Sequence, residues 1–304
     1  MPLLSIPSPS QGTFELGPLS LHMYGLMLLL AIAAAIALTG PRWSRGWAWR
    51  PAFDTATEPR RDFDLVLRVA VWGVGAGVVG ARLYHLVTSW DEVPDEWWGP
   101  FAVWKGGLGV WGGILFGTLA GAYVVRRSGH SVRLFLDAAA PGLMLAHGVG
   151  RWGNWWNQEL FGKPTDRPWG LEIDPENRPA EYLASETFHP TFLYESLYTI
   201  AMAGLLVLVG WRFRIRPPAL FALYVALYTF GRFWEELLRV DPSHELGPLR
   251  LNAWVSAVVF VAAAAFFLWW QFRGRRERPR KERRRPVQKK PAMAIPKKRV
   301  RPSR

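Results

Sequence analysis

LHMYGLMLLLAIAAAIALTG, residues 21–40, decides the class of fold. It contains no Asp, Glu, Lys or Arg, and a bilayer core is crossed by about 20 such residues in a helix. No basic stretch precedes it, and its start near residue 20 is late for a cleaved leader, so it is expected to remain as a membrane helix. Half of the 304 residues are hydrophobic, and they fall in further blocks of similar length. Seven spans are predicted: 20–40, 65–87, 106–125, 134–150, 191–211, 219–238 and 252–272. The expectation is an all-α integral membrane protein with a membrane domain over 1–272. The chain has no cysteine, which excludes disulfides, zinc–thiolate sites and a cysteine nucleophile of its own.

The net charge of +13 is local. Residues 273–304 hold 16 Lys/Arg against two Glu, and the rest of the chain is near neutral. This tail is expected to be disordered, either lying on anionic headgroups or acting as a solvated anchor; nucleic acid is a remote partner. Arg42, Arg45, Arg50, Arg60 and Arg61 follow the first span, Arg126, Arg127 and Arg133 the third, and Arg212, Arg214 and Arg216 the fifth. Basic loops lie on the cytoplasmic side, so the N-terminus is expected outside and the C-terminus in the cytoplasm. Gly109, Gly113, Gly117 and Gly121 in the third span, with Gly73 and Gly77 in the second, have the spacing that lets helices pack closely in lipid.

Polar residues gather at HGVGRWGNWWNQELFG (147–162). An Arg at a helix centre costs roughly 2.5–3.5 kcal/mol on insertion scales. Arg151 is therefore either a snorkelling interfacial residue or an anion clamp, whose planar fork suits phosphate. Asn154 and Asn157 add neutral donors, and residues 151, 154 and 158 would share a helical face. Gly148, Gly150 and Gly153 would leave room for a headgroup. In the sixth span, Tyr228, Arg232, Glu236 and Arg239 form one stripe. It is either an ion pair tying helices together or a site, and two arginines per glutamate would leave positive charge for an anion. His22 and Tyr24 stand at one end of the first span, Arg82 and His85 at one end of the second, where they can snorkel. His189 and Pro190 mark the turn into the fifth span, which contains Glu195.

GPLSLHMYGLM (17–27), GVVGARLY (77–84), FAVWKGGLGVWGGILFG (101–117), GRWGNWWNQELFG (150–162), HPTFLYE (189–195) and YTFGRFWEELLR (228–239) together resemble the bacterial prolipoprotein diacylglyceryl transferases. The resemblance spans about 220 residues in family order; GRWGNxxNxELFG is the family's signature. It does not cover the N-terminal dozen residues, 163–188 or the tail. It implies a multi-pass enzyme of the bacterial cytoplasmic (inner) membrane, active toward the outer face. The implied reaction moves the diacylglyceryl group of phosphatidylglycerol to the lipobox cysteine thiol of a prolipoprotein signal peptide and releases glycerol phosphate. Arg151 matches the family's phosphatidylglycerol-binding arginine and Tyr24 its important tyrosine. Asn154, Glu159 and Gly162 match further signature positions, and Tyr228, Arg232, Glu236 and Arg239 match the functional stripe near the second arginine. Trp111 stands where some relatives have a histidine proposed as catalytic, and tryptophan cannot act as a base. His189, His147 and Glu159 are then the candidate bases.

The reaction is displacement at an sp3 carbon by a thiolate with a phosphate monoester leaving. Fixed guanidiniums in a water-poor site would stabilise that leaving group. Arg151 and Arg232 are expected to flank the phosphate, Tyr24, Tyr228 and Asn154 to donate hydrogen bonds, Gly162 and Arg239 to line the lipid site, and Glu236 to orient Arg232 or Arg239. No metal-ligand spacing appears, and no cofactor is expected. The rival readings are an anionic-solute transporter, against which stands the lack of an inverted repeat, and a non-catalytic lipid-binding membrane protein.

Overall fold

The computed structural model describes residues 5–17, 19–49, 51, 60–103, 106–243 and 245–273. The predicted disordered tail therefore lies, beyond Arg273, outside the described residues, as do Arg50, Trp104 and Lys105. The described chain is mainly helical: α1 (Met23–Arg45), α2 (Phe63–Thr88), α3 (Val110–Arg127), α4 (Val132–Gly150), the short α5 (Trp152–Trp156), α6 (Thr191–Arg212), α7 (Ala219–Leu238) and α8 (Leu251–Arg273). Five segments are long and apolar enough to cross a membrane: α1, α2, the run Val132–Trp156, α6 and α8. The other two long helices stand apart for readable reasons. α3 is only 18 residues and ends in Arg126 and Arg127, and α7 carries Arg232, Glu235 and Glu236. Large apolar side chains such as Val71, Trp72, Val87, Val258 and Val261 are exposed along these helices, as expected of surfaces that face lipid rather than water.

The first helix starts later than predicted. Residues 19–22 are not its first turn but β2 (Leu19–His22), paired antiparallel with β1 (Thr13–Leu16). Arg42 also departs from expectation. It lies inside α1, fully buried, rather than in a loop. Its Nε donates to the Ala138 carbonyl (3.1 Å) and its Nη1 to that of Ala48 (2.8 Å). Asp137, equally buried, accepts the Phe221 amide (2.9 Å). It thus satisfies one of the orphan N–H groups opening α7, where Pro218 has no capping side chain. One apolar core of Trp43, Leu65, Val125, Ala138, Met144, Leu206 and Leu220 surrounds this end of α1, α2, α3, α4, α6 and α7.

α2 and α3 pack through their glycines: Gly73 and Gly77 meet Gly113 and Gly117 at the predicted spacing, while the tightest approach, Gly80 against Gly112, falls outside that series. A Cβ on Gly112 would lie 2.1 Å from the Gly80 carbonyl oxygen, and one on Gly117 3.0 Å from that of Gly73. Gly112→Ala is therefore expected to pry the hairpin apart. Overpacking of this kind costs about 1–3 kcal/mol, and a thermal melt in detergent should read it as a lowered midpoint. An unchanged midpoint would show that the hairpin does not need this close approach.

Arg82 does not snorkel. It is 6% exposed and donates to the carbonyls of Gly99, Pro100, Gly106 and Gly107 at 2.6–3.0 Å, pinning the loop that leads into α3. His85 is buried beside it, against Gly107.

The stretch 163–188 is folded rather than a plain loop. β3 (Leu171–Glu172) pairs antiparallel with β4 (Thr187–Phe188), and Ile6 bridges Leu171. Phe161, Leu171, Ile173, Phe188 and Phe192 form a second small core. With the β1–β2 hairpin and a further one, β5 (Glu245–Leu246) and β6 (Leu249–Arg250), these pieces cap one end of the helices.

Candidate active site

The cap end gathers the start of α1, the α4–α5 turn, the start of α6 and the end of α7. Its backbone is locked by the signature stretch. Gln158 and Leu160 both adopt left-handed φ (49° and 58°), a conformation costing non-glycine residues roughly 1–2 kcal/mol each. Compensation is visible. The Gln158 amide donates to the Pro9 carbonyl (3.0 Å) and Asp174 Oδ2 (2.6 Å) and accepts the Asp174 N–H (2.8 Å). The Leu160 carbonyl accepts Thr191 Oγ1 (2.5 Å). Gln158 therefore leaves the face it was expected to share with Arg151 and Asn154, because the helix ends at Trp156.

Beyond it, Gly162 is clasped on both sides. Its N–H donates to the His189 carbonyl (2.9 Å), and it bridges Arg239 in antiparallel fashion. A Cβ there would fall 2.8 Å from His189 Cβ and 3.2 Å from the Leu238 carbonyl oxygen. Packing alone explains this glycine. It sets the start of α6 against the end of α7, and so aligns the charged groups on both.

Those groups form one network. Arg151 Nε meets Glu195 Oε2 at 2.7 Å, and Arg232 Nη1 stands 4.0 Å from the same oxygen. Arg232 also contacts Glu235 (2.7 Å) through Nη1 and Glu236 (2.7 Å) through Nη2. Glu236 continues to Arg250 (3.2 Å), and Arg250 to Asp241 (2.9 Å), which Arg239 also holds (2.6 Å). The predicted stripe is thus present. Of the two partners expected for Glu236 it holds Arg232, and it also reaches Arg250. The expected positive surplus is absent: among the described residues, Arg151, Arg232, Arg239 and Arg250 face Glu195, Glu235, Glu236 and Asp241, an even balance. Neutrality follows from burial, since a charge in this setting survives only when paired. Burial pushes the Asp241 carboxyl up, but the bond from Arg239 and the charges of Arg239 and Arg250 outweigh it and hold it below the usual range.

Asn154 links the network to Glu159. Its Oδ1 accepts from Arg151 Nη1 (3.2 Å) and its Nδ2 donates to Glu159 Oε1 (2.7 Å). Asn154 therefore spends a donor expected to serve an anion on its exposed neighbour. The Tyr24 ring lies against Gly153, where a Cβ would come within 2.7 Å of it, and within electrostatic reach of Glu159 and Arg151. Gly148 packs on Thr199 and Ser196. Of the three glycines expected to make room, only Gly150 has open space beside it, its Cβ position 4.0 Å from the nearest atom. Trp152 donates to Ser196 Oγ (3.1 Å), and with Trp155 it packs on Phe192.

The histidines lie to either side. His147 bonds Tyr224 (2.9 Å) and stacks on Tyr228 at 4.2 Å. The His189 ring bonds Tyr194 (3.1 Å). Burial, then the Arg167 charge, lowers its pKa. Trp111, 55% exposed, sits in the first turn of α3.

A cavity of about 300 Å³ opens beside the network. Glu195, Arg232 and Glu235 form its polar wall, and Tyr198, Tyr228 and Trp234 much of the rest. Gly231 shapes it, since a Cβ there would collide with the Tyr198 ring at 2.3 Å. Glu235 was legible three residues after Arg232; Asp241 and Arg250 reach the network only through the chain's return after α7, which no local spacing signals.

The family model for prolipoprotein diacylglyceryl transferase matches residues 11–270. A phosphatidylglycerol–prolipoprotein diacylglyceryl transferase of Frankia alni is 45% identical over 275 residues, covering 88% of this chain and 68% of that protein. A second, from Streptomyces coelicolor, is 45% identical over 269 residues, covering 87% and 80%. One from Cutibacterium acnes is 43% identical over 268 residues, covering 87% and 86%. The chain belongs to the prolipoprotein diacylglyceryl transferase family.

Proposed function

We propose that this protein transfers the diacylglyceryl group of phosphatidylglycerol to the lipobox cysteine of prolipoproteins, forming a thioether and releasing glycerol phosphate. The observation that carries the reading is the meeting of Arg151 and Arg232 at one buried carboxylate, Glu195, beside an apolar cavity. Two guanidiniums converging on one anion are what a phosphodiester needs at its non-bridging oxygens, and the apolar wall suits acyl chains. In this reading the lipid phosphate takes the place of the Glu195 carboxylate between the two guanidiniums.

The acceptor thiolate attacks the carbon of the diacylglyceryl group that is bonded to the phosphate oxygen. The S–C bond forms as the C–O bond breaks, and the oxygen keeps the electron pair and its bond to phosphorus, leaving as glycerol phosphate, whose added charge Arg151 and Arg232 stabilise. With the phosphate in the place of Glu195, Arg232 stays held by Glu235 and Glu236 and Arg151 by Asn154, so little reorganisation accompanies the charge shift. Tyr24 and Tyr228 would donate to the phosphate or glycerol oxygens, and Asn154 would orient Arg151. Arg239 and Gly162 would hold the end of α7 in register. All seven long helices would cross the cytoplasmic (inner) membrane, N-terminus outside, C-terminus in the cytoplasm, the cap toward the outer face.

Purified protein in phosphatidylglycerol vesicles should convert a lipobox peptide to its diacylglyceryl thioether and release glycerol phosphate, with no product from a peptide whose cysteine is serine. Glycerol phosphate release that ignores the cysteine, or solute flux without transfer, would contradict the assignment.

A further inference from the structure

The reaction requires the acceptor thiol to lose a proton, and the histidines and Trp111 supply no evident base at the network. The Tyr224 bond and Tyr228 stack occupy His147, and the His189 ring bonds Tyr194. Glu159 is exposed and already accepts from Asn154 and Asn157. Glu195 differs from all of these. It is buried and lines the cavity, and its carboxyl stands within hydrogen-bonding reach of the Glu235 carboxyl. Its Oε2 occupies the point where Arg151 and Arg232 converge.

We propose that Glu195 takes the acceptor's thiol proton, and that it becomes free to do so only when the lipid phosphate displaces it from Arg151 and Arg232. The inference rests on the proposed transferase reading. A phosphodiester brings one negative charge into a network whose guanidiniums and carboxylates are balanced. Arg151 and Arg232 can serve the phosphate only by loosening their hold on Glu195. The carboxylate freed in this way is a buried charge without its cation, a costly state that gaining a proton removes. The thiol supplies that proton, and the thiolate then attacks. The S–C bond forms, the C–O bond breaks, and the leaving glycerol phosphate carries away the electron pair. Glu195 returns its proton to that phosphate or to water as product leaves and the Arg151 pair re-forms. Charged and titratable groups facing Glu195 are Arg151 from the α4–α5 turn and Tyr228, Arg232 and Glu235 from α7. Glu235, held by the same Arg232 nitrogen, is close enough to share the proton. The arrangement ties deprotonation to lipid binding, so that the thiol is not ionised before an electrophile is present.

Glu195→Gln keeps the shape and removes the basicity. Its transfer rate at neutral pH should fall roughly 10²–10⁴-fold, the usual contribution of a positioned base. The loss should shrink as pH rises toward about 8.5, where a free thiol ionises unaided. Phosphatidylglycerol binding, measured on the same vesicles, should hold or tighten, since the competing carboxylate is gone. Glu195→Asp, which keeps the acid, should recover part of the neutral-pH rate. A pH-independent loss in Glu195→Gln, or a loss of lipid binding that accounts for the lost rate, would overturn the proposal and leave Glu195 a positioning residue for Arg151. If the glutamine variant no longer folds, the aspartate variant decides: a rate no better than background with lipid still bound would also overturn it. Failure of the wild-type protein to transfer at all would instead reject the transferase reading itself.

Discussion

Arg151→Ala is expected to lower diacylglyceryl transfer by at least about 10²–10³-fold, the cost of removing one donor aimed at developing charge. Two effects combine. The lipid phosphate loses one guanidinium, and Glu195 loses its 2.7 Å partner, keeping only Arg232 at 4.0 Å. Removing one member of a buried pair costs about 3–5 kcal/mol, so the thermal midpoint should fall as well. Arg151→Lys separates the two effects. A lysine keeps the charge but not the fork that reaches Glu195 through Nε and Asn154 through Nη1. Stability should largely return, while single-turnover transfer from labelled phosphatidylglycerol stays low. A near wild-type rate in either variant would remove Arg151 from the phosphate site.

Arg232→Ala is expected to do more damage to the fold. Arg232 is the meeting point of Glu195, Glu235 and Glu236. Without it Glu236 keeps Arg250 and Glu195 keeps Arg151, but Glu235 loses its 2.7 Å ion-pair partner. Adding Glu235→Gln to Arg232→Ala removes the stranded charge and should restore much of the midpoint in a melt, because a buried charge without a partner costs more than a neutral amide. Transfer should stay as low as in the single variant. Recovery of transfer together with stability would mean that Arg232 only holds helices together, the alternative left open by its stripe.

Much of this site is legible along the chain because its parts obey helical spacing. Tyr228, Arg232 and Glu236 share a face of α7 at intervals of four, and an ionisable face inside an apolar segment has to meet a partner. The glycine seam of α2 and α3 follows from the same kind of regularity. The parts that were not legible depend on tertiary returns. The placing of Glu195 between two arginines requires α6 to start beside the ends of α4 and α7, which the clasp of Gly162 by His189 and Arg239 arranges. Arg42 reads as a basic loop residue until α1 is seen to run past it to Arg45, with Ala138 and Ala48 taking its donors. Gln158 reads as part of a helical face until its left-handed φ and its bonds to Pro9 and Asp174 turn it toward the cap.

In this reading the lipid phosphate binds between Arg151 and Arg232, at the point where Glu195 Oε2 stands. That placement is tested most directly by determining the structure of this protein with phosphatidylglycerol bound. Phosphate oxygens are expected within hydrogen-bond distance of both guanidiniums, with the Glu195 carboxylate moved off Arg151. A headgroup bound elsewhere, with the 2.7 Å contact between Arg151 and Glu195 intact, would contradict it.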